Sequence, residues 1–280
     1  MQKSIYYDFD GACRNVADHL GIPRQEVLEW GPRLRFCCGA GVMDRFTKRI
    51  ADRRAAFTLF GSGDFHHLTS LWQGVVTEPY VLVSFDNHPD WDIRPPRWAC
   101  GGWINRALEN PLLTRAHIWG CGNFELVSPA RFFANRRALQ QGRLVVHPWR
   151  ERLPTSYHGR YPTVSREDWR AAFDAFCSGL EGRDVYVTLD LDCLVAGESV
   201  TNWEQGLFEL RDLEDALGLL RERTRIVGGD LCGAYSPPVY DGVFRRLASH
   251  WDHPSVVPGG DTAEVNARAV ARLWPALCGA

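Results

Sequence analysis

This 280-residue chain lacks several features, and each absence removes a class of protein. It has no basic surplus. Its 32 Lys and Arg stand against 34 Asp and Glu, a formal net charge of -2, so neither nucleic acid nor an anionic membrane surface is an expected partner. No run of about 18 apolar residues occurs, so no membrane-spanning helix is expected. The opening stretch MQKSIYYDFDGAC has no apolar core of the kind a secretory signal needs, and none is expected. The nine cysteines are odd in number and form no C-x-x-C pair, which disfavours a disulfide framework or a zinc knuckle. Buried, reduced thiols in a cytoplasmic protein are expected instead. Gly61-Ser62-Gly63 lacks the Lys-Ser/Thr of a nucleotide-binding phosphate loop. No repeat or low-complexity linker divides the chain, and its length fits one domain with a sizeable core, so residues 1–280 are read as a single domain.

What is present alternates in a regular way. Ala55 to Phe60, Tyr80 to Phe85, Ala116 to Gly120, Arg143 to His147, Asp184 to Leu189 and Arg225 to Gly228 are short apolar runs that read as strands. Between them, apolar residues recur at helical spacing over Ser165 to Leu180, Phe208 to Arg223 and Ala263 to Leu277. The first of these opens with Ser165 and Asp168 at capping-box spacing. Strands separated by helices imply parallel pairing through right-handed crossovers. The expected fold is therefore α/β, a three-layer α/β/α sandwich with a mainly parallel central sheet. In such sheets ligands bind beyond the carboxyl ends of the strands.

The polar clusters fall at those ends. YVLVSF runs into Asp86-Asn87-His88-Pro89-Asp90, DVYVTL into Asp190-Leu191-Asp192, and AAFTLF into Gly61-Ser62-Gly63-Asp64-Phe65-His66-His67. In an extended segment Asp86, His88 and Asp90 would share one face, as would Asp190 and Asp192. Four carboxylates crowded in a cleft of low dielectric repel one another, and hard divalent cations relieve that repulsion. Two such ions about 3.5–4 Å apart can share one water and bring its pKa toward neutrality. Such a site suits attack on a trigonal carbon.

With these segments the chain resembles the arginase/agmatinase superfamily, the ureohydrolases. That family carries a Gly-Gly-Asp-His segment, an Asp-Ala-His-x-Asp segment and a Ser-x-Asp-x-Asp segment in this order, and here they read GSGDFHHLT, DNHPD and TLDLD. The resemblance spans roughly Phe57 to Tyr235 and is carried by the motifs. It implies an arginase-like fold, two divalent ions with manganese expected, and hydrolysis of a guanidino C–N bond to an amine plus urea. By position it implies His66, Asp86, Asp90 and Asp190 on one metal and Asp86, His88, Asp190 and Asp192 on the other. His66 is preferred to His67 because HLT follows it. Asp90 is implied to be catalytic, hydrogen-bonding the attacking water and steering its proton. Members of the family often form symmetric homo-oligomers, an expectation by analogy.

The departures bear on the substrate. Where arginases carry a guanidinium-gripping glutamate three residues after the last strand-end aspartate, this chain has Gly233 after Asp230. Another acid must then hold a guanidinium, and Asp64 and Glu204 are the candidates. At the place where an arginase asparagine helps to hold the substrate carboxylate stands Asp92, whose charge should repel that group unless Arg94 or Arg97 pairs with it. The expected partner is thus a guanidine lacking a carboxylate, or an arginine within a peptide, as in the arginase-like enzymes that convert arginine to ornithine inside peptides. The family's proton-shuttling histidine is also missing from RPPRWACGGWINRAL, leaving His67, His117, His158 or water to replace it. Trp91, Trp98, Trp103 and Trp203 fall near the motifs as an aromatic wall or as core. Two other readings stand beside the hydrolase: an amide deacylase of similar fold that keeps one ion, and a non-catalytic metal-binding relative. Six ligands favour two ions, and buried unpaired carboxylates are costly to keep without metal.

Overall fold

The computed structural model describes residues 2–254 and 258–279. In chain order its strands are β1 (Gln2–Asp8), β2 (Arg24–Glu26), β3 (Cys37–Cys38), β4 (Ala55–Leu59), β5 (Tyr80–Phe85), β6 (Trp98–Ala99), β7 (Leu113–Trp119), β8 (Leu144–His147), β9 (Asp184–Asp190) and β10 (Arg225–Cys232). Eight of them form one sheet in the order β2-β1-β4-β10-β9-β5-β7-β8, and every pairing in it is parallel. β3 and β6 form a separate antiparallel ladder.

The central strands are long apolar runs because both faces of the sheet are covered. Every residue of Tyr80–Phe85 and of Asp184–Asp190 is buried. Alternation sends Val81, Val83, Val185 and Val187 to one face, where they meet Phe173, Leu213, Leu217 and Leu273 of the Trp169–Ser178, Leu210–Arg223 and Thr262–Cys278 helices. It sends Leu82 and Tyr186 to the other, against Phe46, Trp72 and Ile104 from the Ala40–Arg49, Thr69–Trp72 and Trp103–Ala107 helices. This is the three-layer α/β/α arrangement. Truncating Leu217, wholly buried under its helix, to alanine would cost about 2–5 kcal/mol.

The helix starts follow local chemistry. Ser165 and Asp168 exchange hydrogen bonds, Ser165 N–H to Asp168 Oδ1 at 2.6 Å and Asp168 N–H to Ser165 Oγ at 3.2 Å, and the regular helix begins after them at Trp169. Phe208 is not helical: a reciprocal box between Glu209 and Asp212 starts the Leu210–Arg223 helix after it. β10 runs four residues past the expected Gly228, to Cys232, because its second half lies between β4 and β9. β1, β2 and the Val243–Asp252 helix are elements that the apolar pattern does not announce. Among the described residues, no helix is long and apolar enough to cross a membrane.

The topology also fixes where a site can lie. β4 and β5 are consecutive long strands of the sheet, yet β10 and β9 separate them. The chain therefore leaves a gap at the centre that its last two strands fill. The carboxyl ends of β4, β10, β9 and β5 stand side by side on one edge.

Candidate metal centre and its pocket

At the ends of β4, β5 and β9 the chain turns polar, and the six expected donors converge. Asp86 lies between two histidines, its Oδ2 3.2 Å from His66 Nδ1 and its Oδ1 3.5 Å from His88 Nδ1. On the His66 side, Asp190 Oδ2 and Asp90 Oδ2 lie 3.3 and 3.4 Å from the same Nδ1. On the other side, Asp192 Oδ2 is 2.8 Å from His88 Nδ1. Two groups able to hold a cation result, His66/Asp86/Asp90 and Asp86/His88/Asp192, with Asp86 common to both. A third, His66/Asp190/Cys232, brings in a thiol that sequence reasoning did not select; Cys232 Sγ is 3.3 Å from Asp190 Oδ2.

Local backbone chemistry aims these side chains. Asp86, His88 and Asp90 do not converge by alternating along an extended segment, as expected. The His88 N–H bonds Asp86 Oδ1 at 2.7 Å, an aspartate turn, and Asp90 adopts a left-handed φ of +48°, which Asp tolerates better than most residues. The segment bends, and the bend brings the three carboxyl and imidazole groups together. His66 sits in the short 3-10 turn Gly63–Leu68, begun by Ser62, whose hydroxyl accepts the Asp64 N–H at 3.2 Å. Gly63 is required by proximity, since a Cβ there would stand 2.7 Å from Asp190 Oδ2.

A buried relay fixes the His66 ring. Asp230 accepts hydrogen bonds from Thr188 Oγ1 (2.6 Å), Tyr186 OH (2.7 Å) and Thr69 Oγ1 (3.0 Å). Thr188 thus gives its proton to Asp230 and accepts His66 Nε2–H at 2.9 Å. With Nε2 protonated, the Nδ1 lone pair of a neutral His66 faces three carboxylate oxygens. Something positive must lie between them, either an extra proton or a cation. Nitrogen and oxygen donors in this arrangement fit divalent ions.

The charges respond to this crowding. Burial opposes protonation of His66, but hydrogen bonds to Asp190 and Asp86 outweigh it and hold its pKa well above the usual range. Burial likewise opposes His88, and Asp192 outweighs it. Burial first and the Asp86 charge second push Asp90 well above an ordinary carboxyl, and burial with Asp190 does the same to Asp192.

A cavity of about 300 Å³ opens over this floor, walled by Phe36, Phe124, Trp203 and Phe244, with Arg94 and Asp252 also lining it. Trp103 donates its indole N–H to Asp90 Oδ2, and Trp203 stands edge-on to His88 at 5.3 Å, so these two tryptophans border the site. Trp91 is buried in the core. Trp98 packs against that core from a half-buried position.

Of the three acids considered for substrate contact, Asp92 lines the cavity and Asp64 and Glu204 do not. Asp64 does not line the cavity; it is wholly buried, held by Arg35 Nε at 2.6 Å and His253 Nε2 at 2.7 Å. Burial raises its pKa, but the Arg35 guanidinium and the contact with His253 outweigh burial and bring it down to about 2. Glu204 is engaged from behind: its Oε2 lies 3.2 Å from His88 Nε2, the ring nitrogen turned away from Asp192, so it orients the imidazole. Asp92 does line the cavity, but Arg94 Nε bonds its Oδ2 at 2.8 Å, so its charge is compensated and does not repel a carboxylate as a bare one would. None of the histidines considered as proton shuttles lines the cavity. His67 is buried, with its pKa lowered to about 3 by burial, His117 pairs with His147 at 3.0 Å, and His158 faces Leu153 O.

No protein-family model matches the chain. An uncharacterised protein from Thermotoga maritima is 29% identical over 191 residues, 68% of this chain and 62% of that protein, so the chain spans less than two thirds of this relative's length. A hypothetical agmatinase from Burkholderia thailandensis superposes with a TM-score of 0.57 at 15% identity, over 99% of this chain and 85% of that one. Proclavaminate amidino hydrolase from Streptomyces clavuligerus superposes with a TM-score of 0.57 at 15% identity, over 99% and 92%. The chain has the fold of the arginase/agmatinase superfamily, the one its three strand-end motifs resemble.

Proposed function

We propose that the protein is a hydrolase that uses two divalent ions, manganese in the first instance, to cleave the C–N bond of a guanidino group, giving an amine and urea. The observation that carries this reading is the convergence of Asp86, Asp90 and Asp190 oxygens on His66 Nδ1, beside a second group that shares Asp86 with it. In this reading His66, Asp86, Asp90 and Asp190 hold one ion and Asp86, His88, Asp190 and Asp192 the other. The ions, when bound, supply Lewis-acid activation of water at neutral pH. Asp90, fixed by the Trp103 indole N–H, steers the proton of the attacking water. Glu204 and the Asp230–Thr188 pair hold the two imidazoles in the orientation their ligand role requires. The aromatic walls leave room for an alkyl stem.

The substrate proposed is an alkyl guanidine, free or as an arginine side chain within a peptide. Exposed Phe124 and Phe244 at the cavity suit apolar neighbours of the reacting group. Because Arg94 compensates Asp92, free arginine belongs in the test beside them. The assay is urea release by manganese-loaded protein from agmatine, guanidinobutyrate, arginine and arginine-containing peptides, with Asp90→Asn as control. Urea that disappears in the variant supports the reading. Silence on every guanidine, with two ions bound, would refute it in favour of a non-catalytic metal protein, and one bound ion would favour an amide deacylase.

A further inference from the structure

The site has four carboxylates for metal, but a guanidinium also needs an anion of its own. Position 233 cannot provide it. Gly233 has a φ of +102°, and a Cβ there would stand 2.2 Å from Asp190 Oδ1 and 2.5 Å from the Leu191 backbone nitrogen. Both neighbours are fixed by the strand end, so no side chain can stand there. Most other acids around the floor are already engaged: Asp92 with Arg94, Glu204 with His88, and Asp64 with Arg35.

We propose that Glu125 is the residue that recognises the cationic head of the substrate, a planar guanidinium or amidinium. This rests on the guanidino reading above and names the recognition group it lacked. Glu125 lies in the turn Phe124–Leu126 that follows β7, and Asn123 Oδ1 accepts its backbone N–H at 3.3 Å. The turn sets Glu125 in the cavity wall together with His88 and Asp90. Although the residue as a whole is half-buried, its Oε2 is shut off from solvent and has no hydrogen-bond partner. An unpaired buried carboxylate oxygen is costly, and burial pushes this group up to about 7. A turn of the carboxylate that brings Oε2 to the cavity would let a guanidinium remove that cost with charge-assisted hydrogen bonds, for its planar fork matches a carboxylate. Asp252 is the other cavity-lining acid outside the pairs above, but it is exposed at the mouth, where water screens it. It serves as the control.

The experiment is calorimetric binding of agmatine and of carbamoylputrescine, which keeps the alkyl ammonium but replaces the guanidinium by an uncharged ureido head. The parent is manganese-loaded Asp90→Asn protein, in which turnover is suppressed, and Glu125→Gln and Asp252→Asn are added to it singly. Metal content and thermal unfolding are measured on each protein. Glu125→Gln should weaken agmatine about tenfold or more, leave carbamoylputrescine within about twofold, and leave metal content unchanged. Asp252→Asn should change agmatine affinity by less than about threefold. Equal agmatine affinity in parent and Glu125→Gln, an equal loss for the ureido analogue, a loss carried by Asp252→Asn, or no agmatine binding by the parent would each overturn the assignment. Urea assays on proteins with Asp90 intact separate this from the parent reading. Turnover with a KM unmoved by Glu125→Gln removes Glu125 and keeps the hydrolase. Glu125-dependent binding without urea release removes the hydrolase and keeps the recognition site.

Discussion

Replacing Gly233 with alanine puts one methyl group where the strand end leaves no space. Two costs add. A non-glycine residue at φ +102° carries backbone strain of about 1–3 kcal/mol, and overpacking against Asp190 Oδ1 and the Leu191 nitrogen adds about 1–3 kcal/mol. The expected destabilisation is then about 2–6 kcal/mol. For a chain of this length that lowers the melting temperature by about 4–12 °C. A local consequence accompanies the global one. The clashing oxygen belongs to Asp190, whose other oxygen points at His66, so relief of the clash moves a proposed ligand. Affinity for manganese should fall by about ten- to a hundredfold, as for other changes that disturb ligand support. Thermal unfolding of metal-free protein and calorimetric metal titration separate the two effects. An alanine variant that melts and binds metal like the wild type would refute the reasoning. A Gly233→Glu variant that kept two ions and bound agmatine more tightly would refute it more completely, because it would show that position to be open.

Two further expectations concern metal and pH. Adding manganese to chelator-treated protein should raise its stability by about 3 kcal/mol at a hundredfold excess over Kd, and Thr188→Val, which frees the His66 ring, should cut metal affinity about ten- to a hundredfold; a rise in melting temperature equally large in both proteins at limiting metal would contradict the relay. Asp64, depressed from 3.8 to about 2, should contribute about 2 kcal/mol that is fully present above pH ~4 and lost as the pH falls toward 2; the stability gap between wild type and Asp64→Asn in urea unfolding should narrow over that window, and a constant gap would count against the Arg35–Asp64–His253 contact.

The parts of this molecule legible in its sequence are those whose environment is uniform. YVLVSF and DVYVTL are buried on both faces, so their composition alone marks them as central strands. β2, three polar residues at the sheet edge, carries no such mark; its pairing with β1 decides its conformation. The donors at the strand ends were legible because strand ends of a parallel sheet share an edge. Partner choice was not. Asp64 has the chemistry of a substrate contact until Arg35, distant in sequence, packs onto it. Glu125 is a lone acid in GCGNFEL, and what singles it out is an oxygen without a partner, a property only the folded chain has.

The place of β10 in the sheet has a consequence for how the protein is made. Thr58 of β4 lies beside Asp230 of β10, and Thr188 of β9 lies on the other side of that same aspartate. Until synthesis has passed Cys232, His66 has no fixed position relative to the Asp86 and Asp190 clusters. β4 and β9 meanwhile each expose an unpaired edge. A nascent chain stopped before Arg225 would hold all six proposed ligands but not the strand that lies between β4 and β9. Such pairing over long sequence separation is slow to form and leaves an aggregation-prone interval. Insertion of the last strand closes the sheet and brings the proposed ligands to one edge in one event, so on the proposed reading metal capture would follow delivery of β10.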